Sequence, residues 1–441
     1  MKRRYLSIGL LVLMLVVALA VAACGGEETT TTAAPSPETT AAPSPDTTAA
    51  PSPETTAAPS PDTTAAPGPA TGEPIKVGFS NSITGFSAAP AGSTGNGVAL
   101  MAEIINANGG INGRPLEIIM LDDKSDVPPA LANINKMIQE DKVAATVGPF
   151  AQFMQEPARA IAEQTGTPMV GMGPATLEQF AVNQPYKMSV MISAAPPTHA
   201  DALTKVIKAN GWKNILAIGD QLSIHQETLD LVAKNGPTEG FTLTKLPDTF
   251  GFDQTDFQPI LNKLMEAYNA QKPDAVALFV NPIALPPLYK GLRSLGVDVP
   301  IQGSPAASNP AIFAMGPEAV EGLLVLDSGG LVNPAALPDD WPLKAGQMAF
   351  YDAYQAKYGK APDFFAAAGA DLVSVLAEAM KQAGGPDDKA AVAKALTSLK
   401  DFVALQGIVN FTPEATSQGV TGQMVEFQVK GAQFVLVNTV N

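Results

Sequence analysis

From residue 74 onward, short apolar runs alternate with longer segments whose apolar positions recur every three or four residues. The first unit is typical, because residues 75–79 form an apolar run and Val98, Met101 and Ile105 lie at helical spacing within residues 97–106. The runs predict buried strands and the longer segments predict amphipathic helices. Further strands are predicted at 116–121, 144–147, 168–170, 215–218, 242–245, 275–280, 300–301, 322–326, 422–429 and 432–437, and helices at 129–139, 156–164, 201–210, 227–235, 257–269, 285–295, 346–358, 366–383 and 389–399.

Strands that alternate with helices favour the α/β class, with helices on both faces of a doubly wound parallel sheet. The pattern comes in two sets over roughly 365 residues, more than one core usually holds, so two lobes with a cleft between them are predicted. Ligands of such sheets bind outside the carboxyl ends of the strands. The loops predicted at those ends are 81–92, 148–155, 172–176, 219–226, 281–286 and 303–308.

The amino terminus has the pattern of an export signal. Lys2, Arg3 and Arg4 precede an apolar run over residues 10–20, which is followed by Val-Ala-Ala-Cys ending at Cys24. A basic start, an apolar stretch and small residues before a cut are typical of secretory signals. The ending resembles the lipobox of bacterial lipoproteins, which implies a signal peptide over residues 1–23 and a lipid on the Cys24 sulfur. The alternative is a plain membrane-anchor helix, for which the run is short.

Residues 24–73 predict a tether. An octamer of Thr, Ala, Pro, Ser and one acidic residue recurs between residues 31 and 66 without any large apolar side chain. Such a segment cannot offset the entropy of ordering, and its regular prolines favour an extended chain. At about 3.1 Å per residue in polyproline II, it would reach over roughly 100 Å.

The overall charge narrows the choice of partners. The formal net charge is −15, and without Lys2, Arg3 and Arg4 the chain holds 24 basic against 42 acidic residues, or −18. This surface repels nucleic acid and anionic headgroups, so we expect neither as a partner. Two distant histidines and no cysteine besides Cys24 predict no metal site.

Several stretches, taken in order, resemble the branched-chain amino-acid binding proteins, which are type I periplasmic solute-binding proteins of ABC importers. The most specific stretch is Asn106-Ala107-Asn108-Gly109-Gly110-Ile111-Asn112-Gly113-Arg114. Weaker matches are Ile75-Lys76-Val77-Gly78, Asp122-Asp123 and Val147-Gly148-Pro149. Together the matches cover nearly all of residues 74–441.

The resemblance implies two doubly wound lobes of the type I fold, joined by three crossovers and closing on a hinge. Lobe one would take residues 74–190 and 327–405, and lobe two residues 191–326 and 406–441. It also implies a small-molecule ligand in the cleft, ABC permease subunits as partners, no cofactor, and a monomer.

Lobe one offers a departure from the family pattern. Members that hold an α-amino acid place hydroxyl groups after the third strand, whereas residues 150–155 here contain none. Phe86, Phe150 and Phe153 predict an apolar wall for a ligand, although each is also readable as a core residue. Gln152 is predicted to offer its amide to the ligand, with helix capping as the alternative.

The other candidate contacts lie on three further loops. Ala175 and Thr176 offer a backbone N–H and a hydroxyl to a carboxylate, with an ordinary helix cap as the alternative. His225 and Asn281 are the lobe-two candidates, and packing is the alternative for the histidine. The family's ammonium-binding acid has no counterpart in residues 303–307. A buried ammonium without a partner is costly, so the ligand is predicted to be apolar, aromatic or amide-like.

No nucleophile elbow, P-loop, dinucleotide fingerprint or zinc-protease motif occurs, so catalysis is not expected. The sequence predicts a lipid-anchored solute-binding protein on the outer face of a cell membrane, in an envelope without an outer membrane. Alternatives are a tethered sensor for a membrane signalling partner and an enzyme on the same scaffold.

Overall fold

The computed structural model describes residues 68–173, 186–192, 194–251, 254–417, 420–421 and 423–440. By its internal contacts the chain divides into Met1–Thr63 and Thr64–Asn441, and the described residues all belong to the second unit. Cys24, the predicted signal peptide and the tether up to residue 67 lie outside the described residues, as do Ala175 and Thr176. No helix in the described part of the chain is long and apolar enough to cross a bilayer.

The first lobe is built on a five-stranded parallel sheet, in the order β2-β1-β3-β4-β5. Its strands are almost wholly apolar, as expected where helices cover both faces of a sheet. The sequence pattern does not predict β5. The elements are β1 Ile75–Asn81, α1 Ala88–Ala107, β2 Leu116–Asp122, α2 Val127–Gln139, β3 Ala145–Val147, α3 Gln155–Thr165, β4 Met169–Gly171 and β5 Ser189–Met191.

The second lobe is built on a seven-stranded sheet, in the order β15-β14-β10-β9-β8-β6-β7. Strands β6 to β10 are parallel, and the closing hairpin β14–β15 runs antiparallel to β10. The elements are α4 Pro196–Ala209, β6 Asn214–Gly219, α5 Ser223–Glu239, β7 Thr242–Lys245, α6 Gln258–Gln271, β8 Ala275–Phe279, α7 Leu285–Ser294, β9 Ile301–Gly303, β10 Leu324–Ser328, β14 Met424–Lys430 and β15 Gln433–Val440. Two α/β lobes with parallel sheets confirm the predicted fold class.

After β10 the chain returns to the first lobe. Leu372, Leu376 and Met380 pack in one core with Phe79 and Val147 of the first sheet. The returning elements are α8 Lys344–Tyr358, α9 Phe364–Gln382, α10 Lys389–Thr397 and a small antiparallel sheet of β11 Phe402–Val403, β12 Ile408–Val409 and β13 Val420–Thr421.

The packing of residues 409–420 bears on the last crossover, which the sequence analysis expects at residue 405. Val409, Phe411 and Val420 are buried in the core of the first sheet, although residues 406–441 were expected in lobe two. The backbone N–H of Val420 also donates to the carbonyl of Ile192, just after β5, at 3.1 Å. We therefore propose that the chain passes to the second lobe between residues 421 and 424.

Helix α1 begins at Ala88, nine residues before the predicted start at Gly97, within a stretch that looks like a polar loop. Its small residues serve close packing against α9. A Cβ on Gly97 would lie 2.0 Å from the Ala366 carbonyl oxygen, and one on Gly369 would lie 2.2 Å from that of Thr94. The two helix backbones therefore touch, and tertiary packing overrides the low helix propensity of this stretch.

Candidate ligand site at the cleft edges

Two exposed rings mark the carboxyl edge of the first sheet. Phe86 follows β1 and Phe153 follows β3, and their rings stack with centroids 6.2 Å apart and planes 20° from parallel. The side chains are 66% and 50% exposed, and the neighbouring Ile83 is 49% exposed. The structure thus brings two predicted residues together as an apolar surface that is open to a ligand.

The loop that carries Phe86 is fixed by contacts with residues at and after the end of β2. Asp122 at the end of β2 accepts hydrogen bonds from the Thr84 hydroxyl at 2.7 Å and the Thr84 backbone N–H at 3.1 Å. Gly85 has φ of 92°, and a Cβ there would lie 2.4 Å from the carbonyl oxygen of Lys124. The hydrogen bond from the Thr84 hydroxyl, together with the backbone N–H groups of Lys124 and Thr84, outweighs burial and lowers the pKa of the Asp122 carboxyl. This aspartate therefore positions the loop.

Phe150 and the two glutamines of the next loop take different places. Phe150 is 8% exposed and packs against Phe365 of α9, with ring centroids 5.9 Å apart, so it supports the loop from the core. Gln155 is buried and donates to the carbonyl of Pro149. Gln152 is partly exposed, and its side chain has no hydrogen-bond partner among the described residues. Gln152 is thus the amide of this loop that remains open to a ligand.

A buried aspartate organises the carboxyl edge of the second sheet. Asp220 follows β6 and accepts from the His225 Nδ1 at 2.8 Å and from the Asn281 backbone N–H at 2.7 Å. The Leu222 N–H also donates to it, at 3.1 Å. Burial raises the pKa of the Asp220 carboxyl, but the charge of His225 and these hydrogen bonds outweigh burial and lower it.

The two predicted lobe-two residues belong to this network. His225 is 3% exposed and Asn281 is 7% exposed. Besides donating its backbone N–H to Asp220, Asn281 uses its side-chain oxygen to accept the N–H groups of Ile283 and Ala284. Both side chains therefore join the loops after β6 and β8. Ile283 on the same loop is 71% exposed, so it is the apolar side chain that this edge presents.

His199 lies beside this network on the first turn of α4. It is 5% exposed, and neither ring nitrogen has a hydrogen-bond partner in the described part of the chain. Burial, with a smaller contribution from His225, lowers the pKa of His199 to about 3. The neutral ring is therefore a packing residue.

One acidic residue that the sequence analysis missed joins the two lobes. Asp363 caps α9 by accepting the Ala366 N–H at 2.9 Å, and it also accepts from the Ser93 hydroxyl at 2.9 Å. Its third donor is the side chain of Asn309, 3.2 Å away on the second-lobe loop after β9. Burial raises the pKa of Asp363. The available signal was an aspartate just before an apolar helix, which indicates a cap.

The family model described as periplasmic binding protein matches residues 74–433, which is most of the chain. The chain belongs to this family. Members are extracytoplasmic solute-binding proteins, and both the matched relatives and the two-lobed fold place this periplasmic binding protein in the type I, branched-chain amino-acid group. The resemblance seen in the sequence is thereby confirmed.

Relatives and solved structures agree on this placement. The protein is 24% identical over 331 residues to the leucine-, isoleucine-, valine-, threonine- and alanine-binding protein of Pseudomonas aeruginosa, covering 74% of this chain and 82% of that one. A leucine-binding protein from Thermotoga maritima superposes with a TM-score of 0.68 at 23% identity, covering 83% and 99%. A branched-chain amino-acid transporter substrate-binding protein from Streptococcus pneumoniae, solved with isoleucine, gives 0.67 at 23% identity, covering 83% and 99%. At these identities the structural likeness shows the fold alone.

Proposed function

We propose that this periplasmic binding protein captures a small apolar or aromatic acid or amide in its cleft and delivers it to an ABC importer. The observation that carries the proposal is the exposed Phe86–Phe153 stack on the first-lobe edge, which Ile83 extends. Burying such rings against an apolar ligand contributes about 25 cal/mol per Å² of surface removed from water. Gln152 supplies an amide beside the rings for a polar group of the ligand.

The acids near the cleft edges favour a ligand without an ammonium group. Asp220 and Asp363 are both buried, and protein donors already occupy them. The loop after β9 offers Ser304 and Pro305 where a carboxylate would be needed. An α-amino acid would therefore bury its charge without a counter-charge, at a cost of several kcal/mol.

Closure of the lobes is the transport step that the fold supports. The Asp363–Asn309 contact joins the lobes at one point, while the exposed rings and Ile283 stand on opposite edges. A ligand that touches both edges stabilises the closed form by its extra contacts. The closed form is then the state that a permease recognises.

The proposal also includes the lipid anchor. A lipid on Cys24 and a long tether would keep the protein near its permease in an envelope that has no outer membrane to retain it. Replacing Cys24 with Ala should release the protein into the medium with unchanged ligand affinity. Retention of the variant on the cells would contradict the anchor without touching the binding proposal.

The ligand class is tested by thermal shift of the purified protein across a solute library. We expect aromatic or branched apolar acids and amides to raise the melting temperature more than leucine does. A leucine dissociation constant at or below about 1 μM, with no better ligand in the library, would show that the missing counter-charge was misread. Chemical conversion of a bound compound would contradict the binding function itself.

A further inference from the structure

A cationic groove lies at the opposite end of the first sheet from the cleft. It has a volume of about 460 Å³ and is formed where β1 and β3 begin, with the loop before α10 as its far wall. Because β1 spans seven residues, the groove lies roughly 20 Å from the Phe86 loop. We call it the root groove, since Arg114 in its wall donates a 2.9 Å hydrogen bond to the Glu73 carbonyl, just before β1.

Four cations and two acids line the root groove, but the acids are already paired. Asp387 forms an ion pair with Arg114 at 3.2 Å, and Asp141 forms one with Lys136 at 2.8 Å. That leaves Lys76, Lys142 and Lys389, none of which has a carboxylate within 4.0 Å among the described residues. The groove is therefore a positive site on a protein whose net charge is strongly negative.

The best-shielded of these amines is Lys389. It is partly buried, and its Nζ donates to the Thr167 hydroxyl at 3.3 Å, which does not neutralise its charge. Burial first, and then the charge of Lys142, lower the pKa of Lys389. Two ammonium groups that repel each other across a groove are stabilised when an anion binds between them.

The remaining walls suit the organic part of a small molecule. Pro74, Ile138 and Ala144 are apolar residues that line the same groove and keep part of their surface exposed. Its volume falls within the range of small-molecule sites. Lysine binds phosphate as a point charge, and three amines match a group that carries two negative charges.

We propose that the root groove is a second ligand site, which binds a small organic phosphate between Lys142 and Lys389. Lys76 supplies the third positive charge, and the apolar wall contacts the carbon skeleton. This site is independent of the cleft, because the two lie at opposite ends of the strands. Both sites therefore accept ligands at the same time.

The test compares the purified protein with two double variants of equal net charge. Lys142→Gln with Lys389→Gln removes the two amines of the groove, and Lys234→Gln with Lys290→Gln removes two exposed amines of the second lobe. Glycerol 3-phosphate and inorganic phosphate serve as probes, with sodium chloride at matched ionic strength as the reference. The readouts are the melting temperature and the NMR signals of the lysine side chains.

Both phosphates should stabilise the wild type and the second-lobe variant alike, and affinity should fall at least roughly tenfold in the groove variant. If glycerol 3-phosphate binds more tightly than inorganic phosphate, the result supports contact between the apolar wall and the carbon skeleton of the ligand. Vesicles of phosphatidylglycerol distinguish a free organic phosphate from a lipid headgroup as the ligand. Binding to the vesicles without binding to glycerol 3-phosphate would contradict the proposed free ligand and indicate a lipid headgroup. Equal shifts in both double variants, or shifts that sodium chloride reproduces, would overturn the proposal.

The NMR readout keeps the test decisive if the groove variant fails to fold. In the wild type, phosphate should move the Lys142 and Lys389 signals before those of Lys234 and Lys290, and it should raise the pKa of Lys389. Uniform movement of all lysine signals would show ionic screening only. Because no readout involves the cleft ligand, failure here leaves the transport proposal intact.

Discussion

The two edges of the cleft use the same structural position in opposite ways. Both consist of loops at the carboxyl ends of parallel strands, yet the first lobe presents Phe86 and Phe153 to solvent. The second lobe turns His225 and Asn281 inward, where Asp220 accepts their hydrogen bonds. The topology rule thus locates a binding edge without telling which of its side chains are available. A side chain on such a loop is available to a ligand only if no buried neighbour, such as Asp220, already accepts its hydrogen bonds.

The largest effect should come from removing the centre of the second-lobe network. Asp220→Ala leaves the N–H groups of Leu222 and Asn281 and the ring of His225 without their acceptor. We expect it to lower the free energy of unfolding by roughly 3–5 kcal/mol, measured by urea denaturation. Asp201→Ala, on an exposed turn of α4, is the control and should change stability by less than about 0.5 kcal/mol.

If Asp220→Ala lowered the free energy of unfolding as little as Asp201→Ala does, the contrast between the two cleft edges would not hold. It would mean that His225 and Asn281 are held by packing alone. Both side chains would then be free to turn toward a ligand, as the sequence suggested.

Acid should weaken the second lobe through His199. The unfolded chain takes up a proton near pH 6.5, whereas the folded ring, with a pKa of about 3, stays neutral. Stability is therefore fully present above pH 6.5 and falls as the pH drops toward 3. Between pH 7 and pH 5 the loss should be roughly 2 kcal/mol, and His199→Leu should remove most of it. Urea midpoints at the two pH values measure the difference, and an unchanged pH dependence in the variant would contradict it.

The first lobe should respond to pH in the opposite direction. Asp371 in α9 accepts the N–H groups of Leu405 and Gln406 at 2.7 and 3.0 Å, and burial raises its pKa to about 7. The folded state holds this proton longer than the unfolded chain does, so stability falls as the pH rises from about 4 through 7. Asp327 at the end of β10 in the second lobe has a pKa raised in the same direction, so it partly offsets the effect of His199 there.

Asp371→Asn tests this fall in stability with rising pH, because an asparagine side chain cannot ionise. Relative to the wild type, the variant should gain about 2–3 kcal/mol of stability between pH 5 and pH 8, measured from urea midpoints. A constant difference across that range would mean that Asp371 ionises freely in the folded protein.

The smallest effect on stability should accompany a clear effect on binding. Phe86→Ala with Phe153→Ala removes two exposed rings, so the free energy of unfolding should change by less than about 0.5 kcal/mol per ring. Affinity for the best ligand from the library should fall roughly tenfold or more. Leu295→Ala removes an exposed side chain outside the cleft loops and should leave affinity unchanged. If the double variant bound the ligand with full affinity, the two rings would not be part of the ligand site.

The sequence predicted the strands well where they are buried on both faces. A continuous apolar run such as residues 275–280 is unambiguous, and the order of strands and helices follows from such runs. It failed at Ala88–Ala107, where helix formation depends on contact with a segment almost 270 residues later. Local pattern carries no trace of such a partner.

The site was predictable by loop and only partly by residue. Phe150 and Phe153 stand three positions apart in one loop, yet one is 8% and the other 50% exposed. Loops lack the periodicity that separates inward from outward side chains in helices. The orientation of His225 depends on its hydrogen bond with Asp220, and thus on the geometry of one turn. Asp363 contacts Asn309 only after the lobes have been assembled.

The backbone contact between α1 and α9 also governs the order of assembly. Since Gly97 meets Ala366 and Gly369 meets Thr94, the core of the first lobe stays open until the chain through Phe364–Gln382 has been made. The second sheet is also completed late, because β14 and β15 at the end of the chain add to its edge beside β10. A ribosome or export channel must therefore release most of the protein before either lobe has its complete core.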